Sequence, residues 1–79
     1  MSSRHTWAVR DDLLVRFGKR VREVRRKRGL SQEALALESG LDRSYVGQVE
    51  RGERNLSLKN IQKLAKALGA SVAEITRGL

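Results

Sequence analysis

Cysteine and proline are both absent from this 79-residue chain, and histidine occurs once. Without cysteine there can be no disulfide and no thiolate metal site. The single histidine, His5, has no second histidine to complete a metal site and no catalytic partner near it in sequence, so it reads as a tail residue. Aromatic residues make up only 4% of the chain, while Ala, Leu, Val, Arg, Lys and Glu dominate. With no proline, that is an all-helical composition with little strand character. No run of 18 apolar residues occurs, so no stretch reads as a membrane span. The opening MSSRHTWAVRDD lacks an apolar core, so a secretory signal is not expected. The lack of cysteine fits a reducing cytoplasm. An enzyme is not expected either: the only histidine lies in the tail, thiols are absent and the carboxylates are scattered over polar faces. No metal or other cofactor is implied.

A chain of this size buries only about 60% of the surface its unfolded form exposes. With no disulfides, stability must come from regular helix packing or from burial of leftover apolar surface in a dimer. Acidic residues are the scarcer charge, with 17 Lys and Arg against 9 Asp and Glu and a net charge of +8. A surplus of that size in a small domain favours a polyanionic partner.

In chain order, residues 1–10 have weak periodicity and read as a flexible tail, with Trp7 and Val9 able to fold back on the core. Residues 11–79 read as one domain. A first helix is expected from Asp11 to Arg28, with Asp11 and Asp12 favoured at its N-terminus by the helix dipole. Leu14, Phe17, Val21 and Val24 form its apolar stripe. Gly18 interrupts that stripe at a cost of roughly 1 kcal/mol relative to alanine. Either a neighbouring helix comes close there or the glycine is tolerated. The opposite face, Arg16, Lys19, Arg20, Arg22, Arg26 and Lys27, reads as a solvated face or a phosphate-attracting flank.

A second helix starts at the N-cap Ser31 and ends at Ser39, with Gly40 supplying the positive φ of a tight turn. Asp42 caps a third helix running to Glu50, with Val46 and Val49 inward. Ser57 caps a fourth with the stripe Leu58, Ile61, Leu64, Ala65 and Leu68. The segment SVAE, residues 71–74, is a capping box that opens a short fifth helix.

The stretch QEALALESGLDRSYVGQVERG, residues 32–52, thus places two short helices around a glycine turn. A helix that enters the major groove needs a partner packed across it, a short turn and polar side chains near its exposed N-terminus. Ala36, Gly40 and the anchors Leu41, Val46 and Val49 meet the first two needs. Arg43, Ser44 and Gln48 meet the third. The lead-in KRVREVRRKRGLSQEALA, the segment VERGERNLSL and the closing IQKLAKALGASVAEI extend the match over about residues 13–77. Together they resemble the Cro/cI-type (XRE) helix-turn-helix family. Within it, LDRSYVGQVERGERNLSLKNI is most similar to the controller proteins of restriction-modification systems.

That resemblance implies an all-α, five-helix, lambda-repressor-like DNA-binding domain with its helix-turn-helix at helices 2 and 3. It assigns base reading to Arg43, Ser44 and Gln48. Arg43 has the planar fork that suits guanine O6 and N7. Gly47 departs from the larger residues of many relatives and would let backbone or a neighbouring side chain approach DNA. Gln32, Tyr45, Arg51, Arg54, Asn55 and Ser57 are expected at the DNA backbone or in mixed contacts. Arg54 is also able to reach a base or the minor groove, and Tyr45 is able to touch a sugar, phosphate or base edge or to pack on the domain rim instead. Arg25 and Glu50 are expected to form a structural ion pair. Leu68, Val72, Ile75 and Leu79 are expected at a homodimer interface, or within the monomer core. The implied partners are a double-stranded operator, a second copy of the chain and RNA polymerase. Competing readings are a phage-type repressor, an antitoxin whose main partner is another protein, and a non-specific nucleic-acid binder.

Overall fold

The computed structural model describes residues 12–79. Five helices follow one another: α1 (Asp12–Lys27), α2 (Gln32–Ser39), α3 (Arg43–Glu50), α4 (Leu58–Ala67) and α5 (Val72–Thr76). No strand occurs among the described residues. His5, Trp7, Val9 and Asp11, read above as tail or helix-start residues, lie outside the described residues.

The starts of the last four helices follow from their caps. Ser31, Asp42, Ser57 and Ser71 sit in extended backbone and accept from N–H groups of the first turn that have no partner within the helix. For α5 the capping box is complete: Ser71 N donates to Glu74 Oε1 at 2.7 Å and Glu74 N donates to Ser71 Oγ at 3.0 Å. The Ser71 backbone N–H first, and the Ser71 hydroxyl after it, hold the Glu74 carboxyl below the ordinary glutamate range.

The core gathers the apolar faces of all five helices: Phe17 and Val21 from α1, Leu35 and Ala36 from α2, Val46 and Val49 from α3, Leu64 and Ala65 from α4 with the following Leu68, and Ile75 from α5. Leu14 and Val24 are only half-buried. One expectation is corrected here, and one open alternative is narrowed. Leu58 is 73% exposed, because it opens α4; Ile61 is half-buried and the buried residues of this helix are Leu64 and Ala65. Leu68 and Ile75 are 1% and 0% exposed, so they belong to the monomer core and have no surface to give a second copy. Val72 and Leu79 keep part of theirs.

Helix α1 packs on α3 and α5, while α2 packs on α3 and α4. The α1–α3 contact is backbone to backbone at Gly18: a Cβ there would lie 2.4 Å from Val49 O and 2.7 Å from Glu50 O. That close approach settles why a glycine interrupts the stripe. Arg20 of the α1 polar face and Arg28 after it also serve the fold. Arg20 donates to Glu74 O at 3.0 Å and Arg77 O at 2.8 Å, carbonyls at the C-terminal end of α5. Arg28, just beyond α1, donates to Leu68 O at the end of α4.

The remaining link between α1 and α3 is ionic. Arg25 Nε lies 2.6 Å from Glu50 Oε2, and its Nη2 donates to Glu50 Oε1 at 3.0 Å. Both residues are 8% exposed. Arg25 Nη1 donates to Leu30 O at 2.8 Å, and Gln32 Nε2 donates to Glu50 Oε1 at 3.0 Å. A buried charge is tolerated only when paired and hydrogen-bonded, and this cluster satisfies both ions.

Two outcomes follow for stability. Gly18→Ala should destabilise the domain by about 1–3 kcal/mol in urea unfolding through overpacking, despite the gain in helix propensity; an unchanged or higher midpoint would contradict the close approach. Glu50→Ala should cost about 3–5 kcal/mol, because it strands the Arg25 guanidinium in the interior. A loss below about 1 kcal/mol would mean that the pair is solvated and not a buried strut.

Candidate nucleic-acid interface

The turn between α2 and α3 is set by Gly40. Its φ of 73° is left-handed, and its N–H donates to Ala36 O, closing the end of α2. Leu41 N also donates to Ala36 O, at 3.1 Å. One residue later Asp42 Oδ2 accepts from Ser44 N at 3.0 Å and starts α3. Two short helices are thus joined with almost no slack.

On α3 the two faces divide cleanly. Val46, Val49 and Glu50 point inward. Arg43 and Ser44 are exposed and Gln48 is half-exposed. A polar recess is lined by Gln32, Asp42, Arg43, Ser44, Gly47, Gln48 and Arg51. The structure therefore brings the three base-reading candidates together with Gln32 and Arg51. The remaining candidates lie outside this recess: Tyr45 is on α3 with Arg54 against its ring, Ser57 caps α4, and Asn55 lines a separate depression with Leu13, Leu14, Phe17 and Leu56.

Gly47 is buried in this recess. A Cβ there would meet Arg51 Nη1 at 3.2 Å and Gln32 Oε1 at 3.6 Å. The missing side chain thus makes room for the protein's own polar groups. Gln32 is oriented by its bond to Glu50, and its Nε2 carries a second proton still able to donate outward. Arg51 Nε donates to Glu53 Oε2 at 3.1 Å, which steadies an otherwise exposed guanidinium. Ser57 Oγ accepts from Asn60 N at 3.1 Å, and Asn55 is exposed on the loop.

Tyr45 is half-buried on the rim. Its hydroxyl accepts from Asn60 Nδ2 at 3.0 Å, and Arg54 Cζ stands 4.9 Å from its ring centroid. Asn60 was not singled out by sequence reasoning. It sits in the first turn of α4 between Lys59 and Ile61, and nothing in its spacing points to a partner on another helix. Among the described residues there is no cluster of three metal-ligating side chains, and no helix is long and apolar enough to cross a membrane.

What the arrangement offers chemically is a rigid, outward-facing set of donors on a helix and a loop, with Arg43, Arg51 and Arg54 as its cations. Such a set matches phosphates and base edges in a major groove.

Comparison with known proteins agrees with the geometry. A family profile described as Helix-turn-helix matches residues 21–75. The chain is 48% identical over 60 residues to Control protein C.BamHI of Bacillus amyloliquefaciens, covering 75% of this chain and 74% of that protein. Among solved structures, it is similar to the restriction-modification controller protein C.AhdI from Aeromonas hydrophila, with 64% identity, a TM-score of 0.77, and 78% and 94% of the two chains covered. It is also similar to the controller protein C.Esp1396I, solved as a tetramer in complex with its natural 35 base-pair operator, with 34% identity, a TM-score of 0.78, and 82% and 86% covered. The chain belongs to the helix-turn-helix family of XRE type, among the controller proteins of restriction-modification systems.

Proposed function

We propose that this protein is a dimeric, sequence-specific transcriptional regulator that binds a pseudo-palindromic operator and controls its own expression within a restriction-modification system. The observation that carries this reading is the outward face of α3. Arg43, Ser44 and Gln48 lie on one surface of a helix whose opposite side is locked by Gly18, Val46, Val49 and the Glu50 ion pair. A reader helix must be held at one angle to match bases, and this one is. Arg43 is the main base reader, set for a bidentate contact to guanine worth about 1–3 kcal/mol of discrimination. Gln32, Tyr45, Arg51, Arg54, Asn55 and Ser57 grip the backbone around it.

One domain holds one half-site, so a second copy is needed. A largely apolar depression lies where α1 meets the loop before α4 and Leu79, lined by Leu13, Leu14, Phe17, Leu56, Ile61 and Leu79 with the polar Asn55 and Thr76. It borders α5 at Thr76, and the operator complex of C.Esp1396I, a similar chain solved as a tetramer on DNA, supports assembly of more than one copy. The dimer face is therefore assigned to Leu79 and the apolar residues that line the depression with it, with the half-buried Val72 of α5 as a further member, and no longer to Leu68 and Ile75. The protein acts in the cytoplasm through the placement of its operator. A site overlapping the RNA polymerase position represses, and a site just upstream activates.

Two measurements test these assignments. Against duplexes selected by the parent protein, Arg43→Ala should relax the choice at one base pair per half-site, whereas Arg51→Ala should weaken all sites alike and lower the salt slope by about 1. If Arg43→Ala kept the parent's base preferences, α3 would not be the reader. In sedimentation equilibrium, Leu79→Lys should shift the chain towards monomer and weaken binding to the two-half-site duplex, while Leu37→Lys, at an 84% exposed position on α2, should do neither. A Leu79→Lys protein that stayed dimeric would place the interface elsewhere.

A further inference from the structure

We propose that Asn60 is a positioning residue for operator recognition, acting through Tyr45 on the guanidinium of Arg54. The inference rests on the reading above that Arg54 contacts DNA. It joins two observations. Asn60 Nδ2, on α4, donates to the Tyr45 hydroxyl at 3.0 Å, and Arg54 Cζ, on the loop before α4, stands 4.9 Å from the centroid of the same ring. Side chains from α3, the loop and α4 are therefore aligned in series on the rim of the reader face.

Each link restricts the next. The Tyr45 ring is only half-buried, so packing alone leaves it some freedom. A hydrogen bond to its far end fixes the direction of the ring. A fixed ring presents one face, and a cation within about 6 Å of that face is attracted to it. Arg54 is exposed on an irregular loop, where an arginine side chain otherwise loses much rotamer entropy on binding. Stacking leaves the edge of the guanidinium plane, with its five N–H donors, open to a phosphate or a base. The Asn60 bond has a second effect. The Tyr45 oxygen accepts from Nδ2, so its own proton is directed away from Asn60 and is available to an acceptor on DNA.

The side chain of Asn60 can be removed without removing the α4 cap, because it is the backbone N–H of Asn60 that donates to Ser57 Oγ. That separates positioning from folding. The test is a double-mutant cycle on operator affinity, with Asn60→Ala, Tyr45→Phe and the double variant, and with Arg54→Ala as reference. The probes are a duplex selected from a random library by the parent protein and a scrambled duplex of equal length.

Asn60→Ala is expected to weaken binding to the selected duplex by roughly threefold to tenfold, the size of one lost hydrogen bond. It should leave binding to the scrambled duplex and the urea midpoint near the parent values. In the Tyr45→Phe background, Asn60→Ala should add nothing further. Equal additional weakening in that background would overturn the proposal, since Asn60 would then not act through the hydroxyl. Parent-like binding by Asn60→Ala alongside weakened binding by Arg54→Ala would overturn it while leaving the reader face intact. If Arg54→Ala itself bound the selected duplex as the parent does, the DNA role of Arg54 would fall, and this proposal with it.

Discussion

A guanidinium and a carboxylate meet inside this small domain, and most of what makes α3 useful depends on them. Taking two such charges out of water costs several kcal/mol per ion, so the pair is retained only because its geometry is nearly complete. Glu50 accepts from both sides of the Arg25 fork and from Gln32, while the third Arg25 nitrogen reaches Leu30 O. One carboxylate thus joins the end of α1, the start of α2 and the end of α3. A hydrophobic contact in its place would hold the helices together but would tolerate sliding. The fork geometry does not. Next to it, the α1 backbone at Gly18 rests against the carbonyls of Val49 and Glu50, so the α1–α3 distance is fixed as well. A reader helix held in both angle and depth is the condition for base recognition.

The same arginine chemistry is used for two ends. Arg25 donates to Glu50 and to Leu30 O in the interior, while Arg20 and Arg28 donate nearer the surface to carbonyls at the ends of α5 and α4. Near the reader face the guanidiniums are individually restrained: Arg51 by Glu53, Arg54 by the Tyr45 ring. Restraint lowers the entropy lost on binding, which favours affinity from few contacts.

Local chemistry was the legible part of the sequence. Caps at Ser31, Asp42, Ser57 and Ser71, and the left-handed turn at Gly40, are decided within a few residues of themselves, and helix boundaries followed to within one residue. Packing partners at long sequence separation were not legible. The apolar period marked Leu68 and Ile75 as one face without saying what covers it; the monomer core does. It placed Leu58 on the stripe, although a residue at the first position of a helix has no preceding turn to hold it over the core. Arg20 looked like any other cation on a polar face, since its acceptors lie more than fifty positions away. The Arg25–Glu50 pair was foreseen from family resemblance, because no local pattern joins residues on two different helices. Gly18 left two readings open until the α3 backbone was seen beside it. The candidate site was legible residue by residue, but Asn60 was not, because its bond to Tyr45 exists only once α4 lies against α3.

The central claim is that a locked α3, presented twice by a dimer, reads DNA. The most direct measurement is selection of bound duplexes from a random library by the full chain at physiological salt. The expected result is enrichment of a pseudo-palindrome whose half-sites lie about 34 Å apart, one helical turn on one face of the duplex. Bound DNA with no shared sequence would contradict base reading by α3, and a single unrepeated half-site would contradict the dimer.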